Sequence, residues 1–296
     1  MLETDAEPFE VLVRGGCVLR GLRYQVAEDD PGPVTALCLH GASADAHSFH
    51  WVAEALARAG VPALVPDQRG HGLSDGSRVR DLGPDGLAAD AALLCAELGL
   101  ERVILVTQSY AGRIGLELLR SAPDGLVIDG LFAQAPSWVA RSHPLRELPL
   151  RLLRTSRLLW RIGRHVGCAA HREPMRKDYP AYAGQPDIHP PRMIEEARSV
   201  SWFVYAALFL EAQGGRYRRP PDWSSLAHLP VWMFASRHDR LWGNEDLVEI
   251  ARLAGWPLSW IECGHLGVAT EQRHAETFVR GVLGALSGNA GSSLDS

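Results

Sequence analysis

A serine stands between a strand-like and a helix-like run in residues 102–119, RVILVTQSYAGRIGLELL. A turn at this junction would hold the Ser109 hydroxyl above the carboxyl end of a buried strand. A helix N-terminus beside it would favour developing negative charge. Such a serine is a candidate nucleophile, which needs a general base within hydrogen-bond reach. The alternative interpretation is an ordinary strand–helix junction in which Ser109 is the N-cap.

Short apolar runs alternate with helix-period segments along most of the chain. FEVLVRGG and CVLRGLRYQVA predict an opening hairpin, and VTALCLH, PALVPD, RVILVTQS and LVIDGLFAQAP predict four further strands. Helical patterns lie between them at residues 51–59, 85–98 and 111–121. The pattern resumes with LPVWMFAS, a helix near 245–253, PLSWIEC and a last helix near 271–286. This alternation predicts crossovers in a parallel sheet whose strands are buried on both faces.

The alternation is interrupted after Pro136. Residues 137–225 are rich in Arg and Pro and contain no clear strand. Because the sheet pattern continues on both sides, we expect one α/β core, residues 1–136 and 226–288, with a helical cap inserted after the sixth strand. The polar tail, residues 289–296, is expected to be disordered.

Several segments resemble the α/β-hydrolase family, and the resemblance covers nearly all of the chain outside the insertion. TQSYA, residues 107–111, is similar to the family's G-x-S-x-G turn. LCLHGASA resembles its strand-then-His-Gly segment, and VPDQRGHGLSDG resembles its D-x-R-G-x-G-x-S loop, in which we assign His71 a structural role. The resemblance implies an α/β-hydrolase fold, with a mostly parallel central sheet flanked by helices, and a serine hydrolase.

Two residues of the turn depart from the family pattern. Ala111 is a mild departure, whereas Thr107 puts a β-branched side chain where glycine is usual. We therefore expect Thr107 to strain the turn or to shift the backbone N–H of Tyr110.

The resemblance also assigns the partners of Ser109. ASRHDRLW holds Asp239 at the family's acid position, with His238 and Asp246 as weaker alternatives, and AQAPSW at the other acid position contains no carboxylate. IECGHLGV places His265 after the last strand. The order Ser, Asp, His along the chain is that of the family. Ser109, His265 and Asp239 are therefore the predicted catalytic residues.

The resemblance implies that the backbone N–H groups of Ala42 and Tyr110 form an oxyanion hole. The neighbouring His40, Gly41 and Leu266 are candidates for substrate contact.

A second helix, near residues 192–213, carries SWFVYAALFL, which is apolar almost all round. It is typical of a helix buried between cap and core, where Trp202 and Phe203 would line a hydrophobic pocket. Plain cap–core packing explains the same pattern equally well.

The predicted cap is basic, although the whole chain has a net charge of −5. Residues 137–225 contain fifteen Arg or Lys and eight Asp or Glu, a net charge of +7. At helical spacing, five arginines share one face of residues 151–167: Arg151, Arg154, Arg157, Arg161 and Arg164. This is either a solvated face or a surface for an anionic partner, such as a CoA or carrier-protein thioester, or for lipid.

Composition argues against nucleic-acid binding, a membrane-spanning segment and a metal site. The acidic net charge gives no reason to expect a nucleic-acid partner, and the acidic N-terminus lacks a secretion pattern. No apolar run reaches 18 residues, so we expect no transmembrane helix and a cytoplasmic protein. The five scattered cysteines predict buried thiols. We expect no cofactor and no metal site, since His47 and His50 have no further ligands nearby in sequence.

Three functions remain open. The leading hypothesis is hydrolysis of a small-molecule carboxylic ester with an apolar acyl or alcohol part. A thioesterase or acyltransferase would use the same acyl-enzyme. A non-hydrolytic member of the fold, a C–C bond hydrolase, a cofactor-free oxygenase or a binding protein, is a third class. Serine at the turn argues against haloalkane dehalogenases and epoxide hydrolases, which place aspartate there.

Overall fold

A central sheet of eight strands organises the chain in the computed structural model, which describes residues 6–26, 34–42, 44–138, 167–168, 204, 207–208, 221–241 and 243–288. Its strands are β1 Ala6–Val13, β2 Cys17–Tyr24, β3 Thr35–Leu39, β4 Ala63–Pro66, β5 Arg102–Gln108, β6 Val127–Gln134, β7 Val231–Ser236 and β8 Leu258–Ile261. The α-helices of the described residues that flank it are α1 His50–Arg58, α2 Pro84–Glu97, α3 Ala111–Arg120, α4 Asn244–Ala254, α5 Gly267–Thr270 and α6 Gln272–Leu286.

The strand order is β1-β2-β4-β3-β5-β6-β7-β8. β1 and β2 form the predicted antiparallel hairpin, and β2 is also antiparallel to β4. The remaining neighbours are parallel. The predicted α/β-hydrolase fold, with a mostly parallel sheet, is confirmed.

Side chains of the central strands alternate between two hydrophobic layers. Leu37 and Leu105 point into the layer formed with α2, α3 and α4, whereas Cys38 and Val106 point into the layer formed with α1 and α6. All four are completely buried. Burial on both faces is why these strands are continuous apolar runs in the sequence.

The loops that carry the predicted site residues leave the sheet at neighbouring strands. Leu39 pairs with Thr107 at the ends of β3 and β5, and Ile261 pairs with Ser236 at the ends of β8 and β7. Because parallel strands end at the same edge of the sheet, the segments that follow them meet there.

The loop after β4 is tied to the core by an ion pair. Arg69 bonds both carboxylate oxygens of Asp90 in α2, at 2.6 and 2.8 Å, and both side chains are 3% exposed. The carboxylate of Asp67 accepts from the backbone N–H groups of Ala46 and Leu73, at 2.7 and 2.8 Å. These bonds hold the loop against the segment that follows β3.

Only part of the predicted cap is described. Val204, Ala207 and Leu208 are helical and buried. Gly167–Cys168 pairs with Ser77–Arg78 in an antiparallel ladder that the sequence analysis missed, because two residues carry no periodic signal. Trp202, Phe203, the arginine face of residues 151–167 and the tail 289–296 lie outside the described residues.

Cys17, Cys38, Cys95 and Cys263 are buried thiols outside any disulfide, as predicted. Burial raises the pKa of Cys17 to about 11 and that of Cys95 to about 12. Within the described ranges, no helix combines the length and the apolar character needed to cross a membrane.

Candidate active site

Ser109 lies at the tight turn between β5 and α3. Its φ of 56° is in the left-handed region, which costs a non-glycine residue ~1–3 kcal/mol and persists only where the surroundings hold it. Here the backbone N–H donates to Gln134 O at 3.0 Å, and the carbonyl accepts from Gly112 and Ser137 at 3.0 and 3.1 Å. The turn leaves the Ser109 side chain half-buried at the sheet edge.

Ser109, His265 and Asp239 form one hydrogen-bonded chain. His265 Nε2 lies 2.8 Å from Ser109 Oγ, and His265 Nδ1 lies 2.6 Å from Asp239 Oδ2. The His265 side chain is 2% exposed and that of Asp239 is completely buried. A carboxylate facing Nδ1 keeps the proton there, so the Nε2 lone pair faces the hydroxyl. This arrangement can remove a proton from the serine.

The weaker acid candidates occupy other places. His238 is exposed and its Nε2 lies 3.1 Å from Glu262 Oε2. Asp246 lies in the first turn of α4. Asp239 is the candidate that the structure brings to His265 Nδ1.

The turn that carries Asp239 is held by backbone bonds to the end of β8. Arg237 and His238 donate to the carbonyls of Ile261 and Cys263, and Asp239 N–H donates to Ser236 O at 3.0 Å. The second carboxylate oxygen, Asp239 Oδ1, accepts from Leu241 N at 2.8 Å. These contacts fix the carboxylate opposite His265.

Two buried amides and one half-buried amide that the sequence analysis missed support the site. Gln108 Nε2 donates to His265 O at 3.1 Å, and Gln134 Nε2 donates to Ser236 Oγ at 2.6 Å. Asn244 Nδ2 donates to Ser236 O at 2.9 Å. Gln108 and Gln134 end the apolar strands β5 and β6, which is the only sequence signal that marks them.

The two predicted oxyanion residues are Tyr110, which follows Ser109 in the chain, and Ala42, in the loop after β3. Tyr110 is buried and its hydroxyl donates to Leu208 O at 3.1 Å. Ala42 follows Gly41, where an added Cβ would lie 3.4 Å from Ser109 Cβ and would overlap Gln108 Oε1. Glycine therefore allows the loop after β3 to approach the serine closely.

The candidate substrate residues differ in access. Leu266 is half-buried beside His265. His40 is completely buried, and burial lowers its pKa to about 4. A ring without exposed surface cannot touch a substrate in this conformation, so His40 is placed to support its loop instead.

His71 is also buried, with a pKa lowered to about 4 by burial, and its ring nitrogens face Arg69 O and Ala42 O at 3.1 Å.

His50 Nδ1 lies 3.1 Å from Tyr24 Oη, whereas the His47 side chain is largely exposed. Among the described residues, no group of three or more His, Cys, Asp or Glu is placed to hold a metal ion.

Solved structures share this fold over nearly their whole length. A hydrolase from Pseudomonas aeruginosa PA01 is 20% identical with a TM-score of 0.68, covering 94% of this chain and 98% of that one. A thermophilic esterase from Thermogutta terrifontis is 20% identical with a TM-score of 0.64, covering 95% and 99%. The thioesterase domain from the curacin biosynthetic pathway is 16% identical with a TM-score of 0.68, covering 94% and 99%. Identities this low establish the shared fold and nothing about substrate.

The sequence itself matches a protein family. The profile described as "Alpha/beta hydrolase family" aligns with residues 36–280, which include every segment of the candidate site. The chain belongs to the alpha/beta hydrolase family.

Proposed function

We propose that the protein is a serine hydrolase that cleaves a carboxylic ester with an apolar acyl or alcohol part. The observation that carries the proposal is the chain from Ser109 Oγ through His265 to Asp239, with contacts of 2.8 and 2.6 Å. A buried, oriented imidazole next to a half-exposed hydroxyl is the arrangement that nucleophilic catalysis by serine requires.

The chemistry proceeds through an acyl-enzyme. Ser109 Oγ attacks the ester carbonyl while His265 Nε2 takes the hydroxyl proton, and Asp239 stabilises the resulting imidazolium. The N–H groups of Ala42 and Tyr110 bind the oxyanion, where the loss of one donor costs about 2.7–4 kcal/mol. Collapse of the tetrahedral intermediate breaks the bond to the alcohol, which leaves with the proton from His265. Water, activated by the same base, then releases the acid and restores Ser109.

An apolar substrate is supported by the apolar segment SWFVYAALFL, residues 201–210, in which Trp202 and Phe203 would line the pocket while other residues pack on the core. Val204, Ala207 and Leu208 are buried apolar residues, and Leu208 is bonded to Tyr110, the residue after the proposed nucleophile. A cap of residues 137–225 on a core of residues 1–136 and 226–288 remains our proposal for the domain organisation. We propose a cytoplasmic enzyme without a cofactor.

A thioesterase or acyltransferase is the second candidate. Its support is the net charge of +7 on residues 137–225, in a chain whose total is −5. A basic cap would attract the phosphates of CoA or of a carrier protein.

Labelling with a fluorophosphonate tests the proposal. The probe is expected to modify the protein once, at Ser109, with p-nitrophenyl ester hydrolysis lost in parallel. Ser109→Ala should abolish both. Ser121→Ala, at the other end of α3, is the matched control and should change neither. A folded protein that is labelled elsewhere overturns the assignment of Ser109, and one that is not labelled belongs to the non-hydrolytic class.

A further inference from the structure

The loop after β3 is bonded to Gln68, which follows β4 across the sheet edge. The Gln68 backbone N–H donates to His40 Nε2 at 3.1 Å, and its side-chain Nε2 donates to His40 O at 2.5 Å. His40 Nδ1 lies 2.8 Å from Gly41 O. Gln68 and His40 are both buried, at 6% and 0% exposure.

These contacts select one tautomer of His40. A backbone N–H can only donate, so His40 Nε2 must be the unprotonated nitrogen and accept from Gln68. Since burial also keeps the ring neutral, its single proton is on Nδ1 and is donated to Gly41 O. Gln68 Nε2 also lies 3.2 Å from Nδ1, but a protonated Nδ1 cannot accept, so the amide donates to His40 O instead.

The bond to Gly41 O acts on the predicted oxyanion donor through the peptide plane. Gly41 C=O and Ala42 N–H belong to the same planar unit and point in opposite directions. A donor that holds the carbonyl therefore also fixes the direction of the N–H. Accepting a hydrogen bond further polarises the unit, which strengthens the N–H as a donor.

We propose that Gln68 is a positioning residue. Its backbone N–H sets the tautomer of His40, and its side-chain amide holds the His40 carbonyl and so the orientation of the loop. Together these contacts aim the Ala42 N–H at the oxyanion formed on the carbonyl attacked by Ser109. The inference rests on the proposed function. His71, in the same loop, faces the next carbonyl: its Nε2 lies 3.1 Å from Ala42 O, and its Nδ1 lies 3.1 Å from Arg69 O.

The primary test is Gln68→Met, which keeps side-chain length and the backbone N–H but removes the amide donor. A mis-aimed donor stabilises the transition state less, and it leaves the binding of the ester unchanged. We therefore expect kcat per fluorophosphonate-titrated site to fall by about 10-fold or more, toward the ~10²–10³-fold cost of losing a donor. KM for p-nitrophenyl butyrate should stay within about two-fold, and affinity for a phenylboronic acid, which forms a tetrahedral adduct with serine, should fall in parallel with kcat. Leu73→Gln, an exposed position in the same loop, is the control and should match wild type.

A second pair of variants covers the case in which Gln68→Met does not fold. Asparagine places an amide N–H where His40 Nδ1 stands, whereas leucine does not. His40→Asn is therefore expected to keep at least about 10-fold more kcat than His40→Leu, because it retains a donor to Gly41 O. Ring ¹⁵N shifts of His40 in the wild-type protein should show a protonated Nδ1 and an unprotonated Nε2.

Failure of the proposed function and failure of the role of Gln68 would give different results. A wild-type protein that neither hydrolyses esters nor reacts at Ser109 overturns the proposed function and this inference with it. An active wild type with Gln68→Met turning over within two-fold of it, or with the opposite His40 tautomer, overturns the inference alone.

Discussion

Gly115 of α3 faces Thr107 of β5 at a close contact between helix and strand. A Cβ added at Gly115 would lie 2.9 Å from Thr107 Cγ2 and 2.7 Å from Leu131 Cδ1. The bulk that Thr107 adds at a position where the family usually has glycine is therefore accommodated by the missing side chain on the helix. Strain was expected from Thr107 because the sequence does not show that Gly115 faces it.

Gly115→Ala is expected to destabilise the fold although alanine is the better helix former. The added methyl overlaps two core side chains, and overpacking costs ~1–3 kcal/mol against a helix gain of ~1 kcal/mol. Urea unfolding measures the difference. Gly284→Ala in α6 is the matched control, because a Cβ there meets nothing within 4 Å, and it should be neutral or stabilising. Equal effects at both positions would contradict the packing argument.

Asp239→Asn should lower kcat by ~10⁴ with little loss of stability. Asparagine keeps an oxygen for the Leu241 N–H. Its amide, however, faces His265 Nδ1 with a donor, which favours the tautomer that has no lone pair toward Ser109. Steady-state kinetics and thermal unfolding of Asp239→Asn and Asp246→Asn decide the assignment. It is wrong if only the Asp246 variant loses activity.

Stability should decline as the pH falls from about 6.5 to about 4. Burial lowers the pKa of His40 and His71 to about 4 in the folded protein, so the unfolded chain binds their protons first. The contribution of the two neutral rings to the free energy of unfolding is therefore fully present above pH 6.5. Between about pH 6.5 and about pH 4, each histidine lowers that free energy by up to ~1.4 kcal/mol per pH unit. Burial raises the pKa of Asp67, which acts in the opposite sense at the acid end.

Urea midpoints measured between pH 7 and 5 test this slope. The slope of stability against pH should fall in His71→Asn by the equivalent of up to one bound proton. Replacing the exposed His47 with Gln should leave the slope unchanged. A flat profile above pH 5 in the wild-type protein would show that the two rings are not held neutral by the fold.

The arginines predicted on one cap face should steer an anionic substrate. kcat/KM for an acyl-CoA is expected to fall steeply with salt, since exposed charges are screened beyond about 10 Å at 0.1 M. Changing Arg154, Arg157 and Arg161 together to Gln should remove this dependence and leave p-nitrophenyl butyrate hydrolysis unchanged. Identical salt profiles for both substrates in the wild-type protein would contradict the thioesterase or acyltransferase hypothesis and leave ester hydrolysis as the proposed function.

Local sequence patterns determined the order of strands and helices, because period and turn chemistry depend on neighbouring residues. They predicted the opening hairpin and five flanking helices within one or two residues of the observed bounds. Motif order placed Ser109, Asp239 and His265 at strand ends, and strand ends share one edge of a parallel sheet.

Tertiary structure alone decided the supporting contacts. Gln68 meets His40 across 28 residues, Gln108 meets His265 across 157, and Gln134 meets Ser236 across 102. Each pairing depends on which strands are neighbours and on how side chains rotate in a packed edge, and no periodic pattern carries either. The same holds for Thr107 and Gly115: the sequence marks the threonine as unusual, and only the packed interface shows the glycine that makes room for it.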